Sequence, residues 1–546
     1  MDPASTSKSE QPDSHTRRYD RQLRLWAASG QQALELSRVL VISGSATSTS
    51  ILKNLVLPGI GQFTILDSAR VTPQDAGNNF FLHRDSIGKS RAEESVRFLL
   101  ELNDSVKGTA DTSDLASILD ERPQYLKSFT LVIAHNLREL TLKKLSSILW
   151  GDISGPPLIV VRSAGFLAEF SIQFHEHTIM DSHTDDIPSY RLDNAFPALA
   201  KHALDLDFDA LDVTDHAHIP YFVILVRALH DWKQAHGGKA PEYKQLKDFK
   251  AQILRMKKKE DEENFDEAIT QVFKAYQKTT VPSEIRALFS NPSCVNLDES
   301  SSPFFVMLHA LDLFTRKEPY TLPLSPKLPD IKSDTVNYIH LQGLYKAQAN
   351  AEKAEFTRIL EEVVAKAGVA PVPSSVIDEF VRNCHQLKIL KGKQWDQDDN
   401  SALLEAIATN PAQVGTHLAL SALFAFEAAH KRWPLPGSEA DLAVAQEWID
   451  AKLSAAGWNE ESVVQDDGTQ VDEAATGPQS LTFREHVSNA MGEIIRAPTA
   501  DLPTTAALLG GFIAQEAIKL ITRQYVPING VCVIDLISST TGTIKI

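Results

Sequence analysis

The fold is decided by Arg38–Asp67, which reads RVLVISGSATSTSILKNLVLPGIGQFTILD. Its first five residues form a short β-branched run that is typical of a buried parallel strand. A turn rich in Ser and Thr follows, and the apolar spacing of Ile51–Leu57 predicts a helix that a Pro-Gly pair ends. Gln62–Leu66 predicts the next strand. This strand–turn–helix–strand unit implies a right-handed crossover and a doubly wound, Rossmann-like α/β sheet.

The α/β pattern appears at both ends of the chain and is interrupted in the middle. From about residue 166 to residue 484 the apolar spacing is mostly helical. The sequence therefore predicts one discontinuous α/β domain, 18–165 and 485–546, with a large, mostly helical inserted domain at 166–484. Further strands of the α/β domain are predicted at Phe129–Ala134, Pro157–Val161, Val531–Leu536 and Thr541–Ile546.

Two helices and two irregular segments complete the predicted organisation. Asp334 is expected to cap a long helix that runs to about Lys366. Leu502–Thr522 predicts an amphipathic helix whose Gly510-Gly511 pair permits close packing on a sheet, because it lacks Cβ atoms. Residues 1–17 are polar and predict a disordered leader, and the acidic stretch at about 460–480 predicts a mobile loop.

Composition excludes several classes of protein. The 546 residues hold 54 Lys and Arg against 71 Asp and Glu, and this acidic balance argues against a nucleic-acid partner. Three cysteines are too few for a disulfide framework. The sequence has no C-x-x-C pair, so a cysteine zinc site is not expected. No apolar run approaches the roughly 20 residues of a membrane span. We expect a reduced multidomain protein of the cytoplasm, the nucleus or both, with no membrane partner.

The turn after the first strand lacks the glycine fingerprint of nucleotide-binding folds. Glycines there allow the backbone and the helix N-terminus to approach phosphate. All three glycine positions hold serine, at Ser43, Ser45 and Ser48. Serine side chains would crowd a phosphate and disfavour positive φ. Asp67 stands where a ribose-binding acid is common, but it equally fits an ordinary strand-terminal Asp. The residues alone favour a scaffold that holds no nucleotide.

Five blocks at the two ends of the chain are distinctive: YDRQLRLW (Tyr19–Trp26), ILKNLVLPGIG (Ile51–Gly61), DAGNNFF (Asp75–Phe81), SIGKSRAE (Ser86–Glu93) and LLGGFIAQEAIKLIT (Leu508–Thr522). In this order along the chain, they resemble the activating enzymes of ubiquitin-like modifiers. The helical middle resembles the insert of the regulatory subunits of heterodimeric neddylation-activating enzymes, at Val226–Pro241 and Asp334–Ala349. The resemblance therefore covers nearly the whole chain.

The resemblance implies that this chain is the inactive half of an adenylating pair. Active halves carry G-x-G-x-x-G, then D-x-D, then N-x-N-R-Q, then a Lys in an I-G-K block. Here the glycines are serines, the D-x-D motif keeps Asp67 but has Ala69, and the phosphate-binding Arg is replaced by Asn78, whereas Lys89 is kept. His135 stands in place of the metal-binding Asp. This chain alone is thus expected to hold neither cofactor nor metal, with Mg-ATP in the partner subunit's site.

One residue of this half is implied to act in the partner's site. In this family the Arg of the inactive half's Y-D-R-Q segment approaches the partner's ATP phosphates, and the matching residue is Arg21. A guanidinium there would stabilise phosphate charge in trans. The alternative is a purely structural arginine at the dimer interface. The resemblance also implies that the neighbouring residues of this segment form the interface: Tyr19, Asp20, Gln22, Leu25 and Trp26.

The resemblance further implies that the chain carries no catalytic cysteine. The family places its nucleophile in a P-x-C-T context in the catalytic half. Cys294 mimics part of this in Pro292-Ser293-Cys294, but Val295 replaces the threonine. Cys384 and Cys532 lie in apolar helical and strand patterns that predict core residues.

The implied function is that of a regulatory, pseudo-adenylating subunit. Its catalytic partner would adenylate the C-terminus of the ubiquitin-like modifier, capture it as a cysteine thioester and pass it to a conjugating enzyme. The helical insert would form one wall of the groove around the modifier. Three alternatives remain open on the sequence: a self-sufficient activating enzyme that uses Cys294, a dinucleotide-dependent oxidoreductase, and a non-catalytic scaffold.

Overall fold

The computed structural model describes four stretches of the chain: residues 13–184, 188–397, 399–459 and 481–546. The chain divides into two compact units. Unit 1 comprises Met1–Ile179 and Ile389–Ile546, and unit 2 comprises Met180–Lys388. The predicted mobile loop at 460–480 lies outside the described residues, as does most of the predicted leader.

Unit 1 is built on an eight-stranded sheet, and a separate two-stranded sheet pairs Glu176–Ile179 with Lys388–Lys391. The strands are β1 (Arg38–Ile42), β2 (Gln62–Leu66), β3 (Lys107–Asp111), β4 (Leu131–His135), β5 (Leu158–Ala164), β6 (Leu167–Gln173), β7 (Glu176–Ile179), β8 (Lys388–Lys391), β9 (Val531–Asp535) and β10 (Thr540–Ile544). The order across the large sheet is β10-β9-β6-β5-β4-β1-β2-β3. The strands from β3 to β5 in this order are parallel, whereas β6, β9 and β10 pair antiparallel.

Helices connect the strands of unit 1 and make up most of unit 2. Before unit 2 the chain forms α1 (Ser14–Leu36), α2 (Ala46–Val56), α3 (Pro73–Asn78), α4 (Arg91–Leu100), α5 (Leu115–Glu121) and α6 (Glu139–Trp150). Unit 2 contains α7 (Pro197–Asp205), α8 (Val213–His216), α9 (Tyr221–Ala235), α10 (Leu246–Arg255), α11 (Glu263–Thr270), α12 (Phe273–Tyr276), α13 (Ser283–Leu288), α14 (Pro292–Val295), α15 (Pro303–Thr315), α16 (Thr335–Ala367) and α17 (Ser374–Asn383). Then follow α18 (Asn400–Thr409), α19 (Pro411–His430), α20 (Glu439–Ala456), α21 (Phe483–Arg496) and α22 (Pro503–Thr522).

The central strands are apolar throughout because helices cover both faces of the large sheet. On one face, Val41 of β1 shares a core with Leu52 of α2 and Ile513 of α22. On the opposite face, Leu40 of β1 shares a core with Leu142 of α6. This arrangement confirms the predicted doubly wound α/β fold with a large helical region.

The helical insertion is narrower than the predicted limits of 166–484. β6 pairs antiparallel with both β5 and β9, which puts residues 167–173 in the large sheet. After unit 2, α19 packs on the sheet, and its Leu418 shares a core with Val533 and Ile544. Helical spacing in a sequence shows that a helix has an apolar side, but it does not show which element covers that side. For this reason the prediction assigned α18–α20 to the insertion.

Unit 2 is organised around the buried helix α9 and the long helix α16. Asp334 caps α16 as predicted, because its side chain accepts a hydrogen bond from the amide of Asn337 at 2.7 Å. Within the unit, Arg191 and Glu352 form a buried, two-pronged ion pair with N–O distances of 2.7 and 2.8 Å. Glu352 Oε2, which accepts one of these two bonds, also accepts a hydrogen bond from the amide of Leu324.

The first helix contradicts part of the predicted disordered leader. Asp13 caps α1 by accepting a hydrogen bond from the amide of Thr16 at 2.6 Å, and residues 14–17 are therefore helical. The helix is kinked at Trp26 and Ala27, which have non-helical backbone angles. The chain thus enters unit 1 as two helical segments joined at the tryptophan.

The helix α22 is a core helix of unit 1. It is long and apolar enough to cross a membrane by length and composition, but half of its most apolar stretch is buried inside the protein. It packs along α2, and a Cβ added at Gly510 would lie 2.4 Å from Oγ of Ser50 and 2.9 Å from its carbonyl carbon. The close approach predicted from Gly510-Gly511 is therefore made by Gly510 alone, and against a helix rather than the sheet.

We predict that Gly510→Ala lowers the free energy of unfolding by about 1–3 kcal/mol, because the new methyl overlaps backbone atoms of α2. The matched control is Gly511→Ala, where nothing lies within 4 Å of the added Cβ. This control should gain up to about 1 kcal/mol from helix propensity. Urea-induced unfolding of the purified chain, followed by circular dichroism, measures both values. A Gly510→Ala protein as stable as the Gly511→Ala protein would contradict the packing described here.

Candidate functional site

A cavity of about 500 Å³ opens in unit 1 at the carboxyl ends of β1, β2 and β4. β1 lies between the other two strands, so the connections leave it in opposite directions at this point. In doubly wound sheets, ligands bind at such a switch point. The walls of the cavity are the turn after β1, the end of β2, and the segment that leads into α22. This is the place where a nucleotide would be expected.

The turn between β1 and α2 follows the path of a glycine turn without the glycine. Ser43 has a φ of 91°, in the left-handed region that favours glycine. Its amide donates to the carbonyl of Leu66 at 3.0 Å, which holds the turn against the end of β2. Serine therefore leaves the course of the backbone unchanged, but it adopts a strained conformation in doing so.

The N-terminus of α2 is capped by side chains of this chain. Ser45 Oγ accepts a hydrogen bond from the amide of Ser48 at 3.1 Å. The carboxylate of Asp501 accepts both the amide and the hydroxyl of Thr47, at 3.2 and 2.6 Å. Free amides at a helix N-terminus are the groups that bind phosphate in nucleotide-binding folds. Here a serine and an aspartate already occupy them.

Asp67, the acid that is kept from the D-x-D motif, also bonds other groups of this chain. Asp67 accepts the amide of Gly44 at 2.7 Å and Nε of Arg91 at 2.6 Å. Arg91 also bonds Asp75 at 3.1 Å. Burial opposes the charge on this guanidinium, but the two carboxylates outweigh burial and raise the pKa of Arg91 above its ordinary value. The oxygens that would bind ribose hydroxyls are thus used by an internal ion pair.

His135, at the end of β4, is buried in a chain of hydroxyl groups. Its Nδ1 lies 2.7 Å from Ser45 Oγ, and its Nε2 lies 2.9 Å from Ser163 Oγ. Burial lowers the pKa of His135, so the imidazole is neutral at physiological pH. Both ring nitrogens are occupied by serine hydroxyls. In the described residues, no group of three His, Cys, Asp or Glu side chains could hold a metal ion.

The charges around the cavity disfavour a phosphate ligand. Its charged lining consists of four aspartates and two arginines. Of the arginines, Arg91 is paired as described, and Arg138 lies 3.4 Å from the buried Glu427. A triphosphate would add several negative charges beside these carboxylates and would find the helix amides occupied. The cavity keeps the position of a nucleotide site, and its retained acid and two of its helix amides are bonded to groups of this chain.

The degenerate positions predicted from the sequence are brought together only in part. Ser43, Ser45, Asp67 and Asn78 line the cavity, whereas Ser48, Ala69 and Lys89 do not. Lys89 is half exposed, and its Nζ lies 3.9 Å from Glu94. The sequence interpretation missed three residues that fill the site: Asn79, Arg91 and Asp501.

Asn79 is the least obvious of the missed residues, because it follows directly on the degenerate Asn78. Its side chain accepts the hydroxyl of Thr49 at 2.9 Å and donates to the carbonyl of Gly44 at 3.3 Å. The amide therefore ties the turn after β1 to the first part of α2. The only signal in the sequence was a second polar residue in the DAGNNFF block, with nothing to show that it is buried.

The predicted interface segment on α1 has an inner and an outer side. Tyr19 is only 3% exposed, and its hydroxyl is bonded to Asn103 and Ser105 at 3.0 Å. The ring therefore belongs to this chain's own core, and its assignment to an interface stays a prediction. Arg21 is exposed, lies outside the cavity, and makes no hydrogen bond or ion pair with another described residue.

The other predicted interface residues lie nearer the surface. Leu25 is 50% exposed, while Asp20 and Gln22 are half-buried. Asp20 pairs with Arg24 one turn later, at 3.0 Å. Trp26 is partly buried against the core of unit 1 at the kink of α1. Its carbonyl accepts a hydrogen bond from the Gln524 side chain at 3.0 Å.

All three cysteines are buried and unpaired. Burial raises the pKa of Cys294 and of Cys384 to about 12, and that of Cys532 to about 11. Nearby acids, such as Asp312 beside Cys294, add to the effect. A thiol must ionise to act as a nucleophile. None of the three is therefore prepared for nucleophilic chemistry.

Comparison with known proteins gives a consistent result. The model of the ThiF family matches residues 19–135. The chain is 34% identical to the NEDD8-activating enzyme E1 regulatory subunit of Xenopus laevis, over 97% of this chain and 98% of that one. It is 31% identical to the NEDD8-activating enzyme E1 regulatory subunit AXR1 of Arabidopsis thaliana, over 97% and 96%. The subunit of the same name in Saccharomyces cerevisiae is 25% identical, over 97% and 100%.

We predict that Ser43→Gly raises the free energy of unfolding by about 1 kcal/mol, because it relieves the strain of a φ of 91°. Two residues later, Ser45→Ala removes the cap of α2 and should lower the free energy by about 1 kcal/mol. Chemical denaturation measures both. Isothermal titration with Mg-ATP should detect no binding to the Ser43→Gly chain, since Asp501 still occupies the Thr47 amide and Ser45 that of Ser48. Equal effects of the two substitutions would refute the strain at Ser43.

Proposed function

The chain belongs to the family of NEDD8-activating enzyme E1 regulatory subunits, and from that premise we propose that it completes a catalytic partner's active site while its own nucleotide cavity stays unused. The observation that carries this proposal is the internal occupation of the cavity. Asp501 caps the helix that would bind phosphate, and Arg91 pairs with the acid that would bind ribose. A cavity filled in this way has no need of ATP for its stability.

The chemistry then falls to the catalytic subunit. With Mg-ATP it joins the C-terminal carboxylate of the ubiquitin-like modifier to AMP, and pyrophosphate leaves. A cysteine thiolate of that subunit attacks the acyl carbon, AMP leaves, and the resulting thioester passes to a conjugating enzyme. The buried thiols of this chain support this division of labour, because none of them is ionised near neutral pH.

Arg21 is the residue of this chain that we assign to the partner's reaction. On a helix, residues two positions apart point to nearly opposite sides. Tyr19 points inward and is held by Asn103 and Ser105, so Arg21 points outward with its guanidinium unengaged. We propose that it reaches the phosphates of ATP in the catalytic subunit and stabilises the charge that develops on the departing pyrophosphate.

The geometry weighs against a self-sufficient enzyme that uses Cys294. Its side chain is 1% exposed and lies under α15, where His309 bonds the Cys294 carbonyl rather than the thiol. The His309 imidazole is therefore not placed to remove the thiol proton, and the nearby Asp312 raises the pKa of the thiol. The function of a dinucleotide-dependent oxidoreductase also fits the cavity poorly. A dinucleotide, like ATP, would need the amides at the N-terminus of α2 and the acid Asp67, and both are occupied.

We predict that modifier-dependent ATP–pyrophosphate exchange is absent for this chain alone and strong in an equimolar mixture with the catalytic subunit. The physical reason is that only the partner would bind Mg-ATP productively. Radiolabelled pyrophosphate incorporated into ATP measures the rate. Exchange by the chain alone would overturn the proposal, and Cys294→Ala would then test whether it also forms a thioester by itself.

We further predict that Arg21→Ala lowers the exchange rate of the assembled complex by about 1,000-fold or more, within the range found for arginines that act in trans. Arg21→Lys should recover part of the rate, because it restores the charge but not the planar fork. The matched control is Arg24→Ala, one turn further along, where the side chain pairs with Asp20.

Size-exclusion chromatography of each variant separates this role from a structural one. The proposal requires that the Arg21→Ala chain still assembles with the catalytic subunit and exchanges slowly. A purely structural arginine, or a scaffold without a catalytic role, would instead give either failed assembly or an unchanged rate in the assembled complex.

A further inference from the structure

The first helix of the chain folds back on itself. A straight α-helix would place residues 15 and 35 about 30 Å apart. In this structure Nε2 of His15 lies only 2.6 Å from Oε1 of Glu35. We call residues 14–25 the arm, and the non-helical pair Trp26-Ala27 the joint. The arm, which carries Arg21, therefore lies alongside the second half of α1.

The joint has a strained backbone. Ala27 has a φ of 56° and a ψ of −179°, a combination that is almost confined to glycine. Contacts beside it impose this conformation. The carbonyl of Trp26 accepts a hydrogen bond from Gln524 at 3.0 Å, and a Cβ added at Gly30 would lie 2.8 Å from that of Trp26. Because the strain at Ala27 favours other backbone angles, the joint does not keep the arm in place by itself.

The hydroxyl of Tyr19 ties the arm to unit 1 through a closed cycle of hydrogen bonds. Asn103 Nδ2 donates to this hydroxyl at 3.0 Å and to the carbonyl of Val56 at 2.9 Å, which fixes the orientation of the amide. Asn103 Oδ1 accepts the hydroxyl proton of Ser105 at 2.7 Å. The Tyr19 hydroxyl must therefore donate its own proton to Ser105 Oγ, at 3.0 Å. We call the cycle of Tyr19, Asn103 and Ser105 the latch.

The latch is buried, whereas two other polar ties of the arm lie at the surface. Asn103 is 1% exposed and Tyr19 is 3% exposed, so opening the latch would leave buried polar groups without partners. Arg18 pairs with Asp104 at 3.2 Å, but that carboxylate is 94% exposed. His15 is half exposed where it meets Glu35. Exposed pairs contribute little, because water screens them and both side chains lose freedom.

We propose that Tyr19 is a positioning residue for the partner's reaction, and that its hydroxyl holds Arg21 in place against the strain of the joint. This proposal deepens the function proposed above and rests on it, because Arg21 is the group assigned to the ATP phosphates. The two residues lie on the same helical arm, so an arm that leaves the latch carries the guanidinium with it. A displacement of about 1 Å can cost on the order of 100-fold in rate.

Tyr19→Phe tests the proposal, because it removes the hydroxyl and keeps the ring. Asn103 retains its bonds to Val56 and Ser105, so the substitution breaks only the tie to the arm. We expect it to lower ATP–pyrophosphate exchange by the assembled complex about tenfold at saturating ATP, the loss expected for one buried hydrogen bond.

The matched control is Tyr345→Phe in unit 2. The hydroxyl of Tyr345 is also buried, and it donates to the carbonyl of Tyr190 at 2.8 Å. The control therefore removes one buried hydroxyl bond without touching the arm. It should leave the exchange rate within about twofold, since the two sites share no partner.

Ala27→Gly gives a second test, because glycine adopts the angles of the joint without strain. Added to Tyr19→Phe, it should speed ATP–pyrophosphate exchange about threefold over Tyr19→Phe alone. Hydrogen–deuterium exchange of the full chain, measured by mass spectrometry on peptides from the arm, reports the latch without reference to activity. Tyr19→Phe should speed deuterium uptake by the arm about tenfold, Tyr345→Phe should not change it, and Ala27→Gly should slow it.

The Arg21→Ala background separates positioning from stability. There Tyr19→Phe should cause no further loss of rate, because no guanidinium remains to be positioned. A further loss would assign Tyr19 to the stability of the chain and overturn the proposal. Unchanged deuterium uptake by the arm of Tyr19→Phe would also overturn it, as would equal rates of pyrophosphate exchange for Tyr19→Phe with and without Ala27→Gly.

The outcomes also distinguish this proposal from the one on which it rests. If Arg21→Ala slows the assembled complex and Tyr19→Phe does not, the positioning role of Tyr19 is overturned and the function proposed for Arg21 stands. If Arg21→Ala itself leaves the rate unchanged, both proposals are overturned.

Discussion

The structure of unit 1 depends on an anion at the N-terminus of α2. The first turn of any helix leaves amides without partners and a partial positive charge. In a nucleotide-binding fold a phosphate can supply the missing acceptor. Here the carboxylate of Asp501 supplies it to Thr47, 454 residues earlier in the sequence. All of unit 2 lies between these two residues in the sequence, so the contact joins the last part of the chain to its first βαβ unit.

The same contact sets the position of α22. Asp501 immediately precedes that helix, and nine residues later Gly510 lies against Ser50 of α2. The hydrogen bonds of Asp501 at one end and the missing side chain of Gly510 further along therefore fix α22 against α2 at two points. β9 and β10 then complete the large sheet beside β6. A chain interrupted by unit 2 can close into one sheet because its return is fixed at these points.

Elements that depend on a local apolar pattern could be predicted from the sequence, whereas features that depend on contacts between distant residues could not. β1 and β2 have the predicted bounds. Helices cover both faces of these strands, and the short, mostly apolar runs that result can be recognised from the local sequence. β6 was not predicted, because Glu169 and Gln173 interrupt its apolar pattern. These two polar side chains can be buried only because residues distant in the sequence, such as His417, bond them. In the site, the serines were visible, but the partners that fill it were not. Asp501 and Arg91 act through tertiary pairing, which leaves no local pattern.

An internal carboxylate at the place of a bound phosphate gives the proposed loss of nucleotide binding a physical basis, because it keeps the fold without a ligand. If the helix amides were left empty, the protein would lose hydrogen bonds whenever nucleotide was absent. Asp501 makes them permanent, and the ion pair of Asp67 with Arg91 does the same for the acid at the end of β2. The segment with Tyr19 and Arg21 is then free to serve another site, because its inward side is fixed to this core and its outward side carries an unengaged guanidinium. The two parts of the proposal, an unused site in this chain and a contribution to the partner's site, thus rest on the same packing.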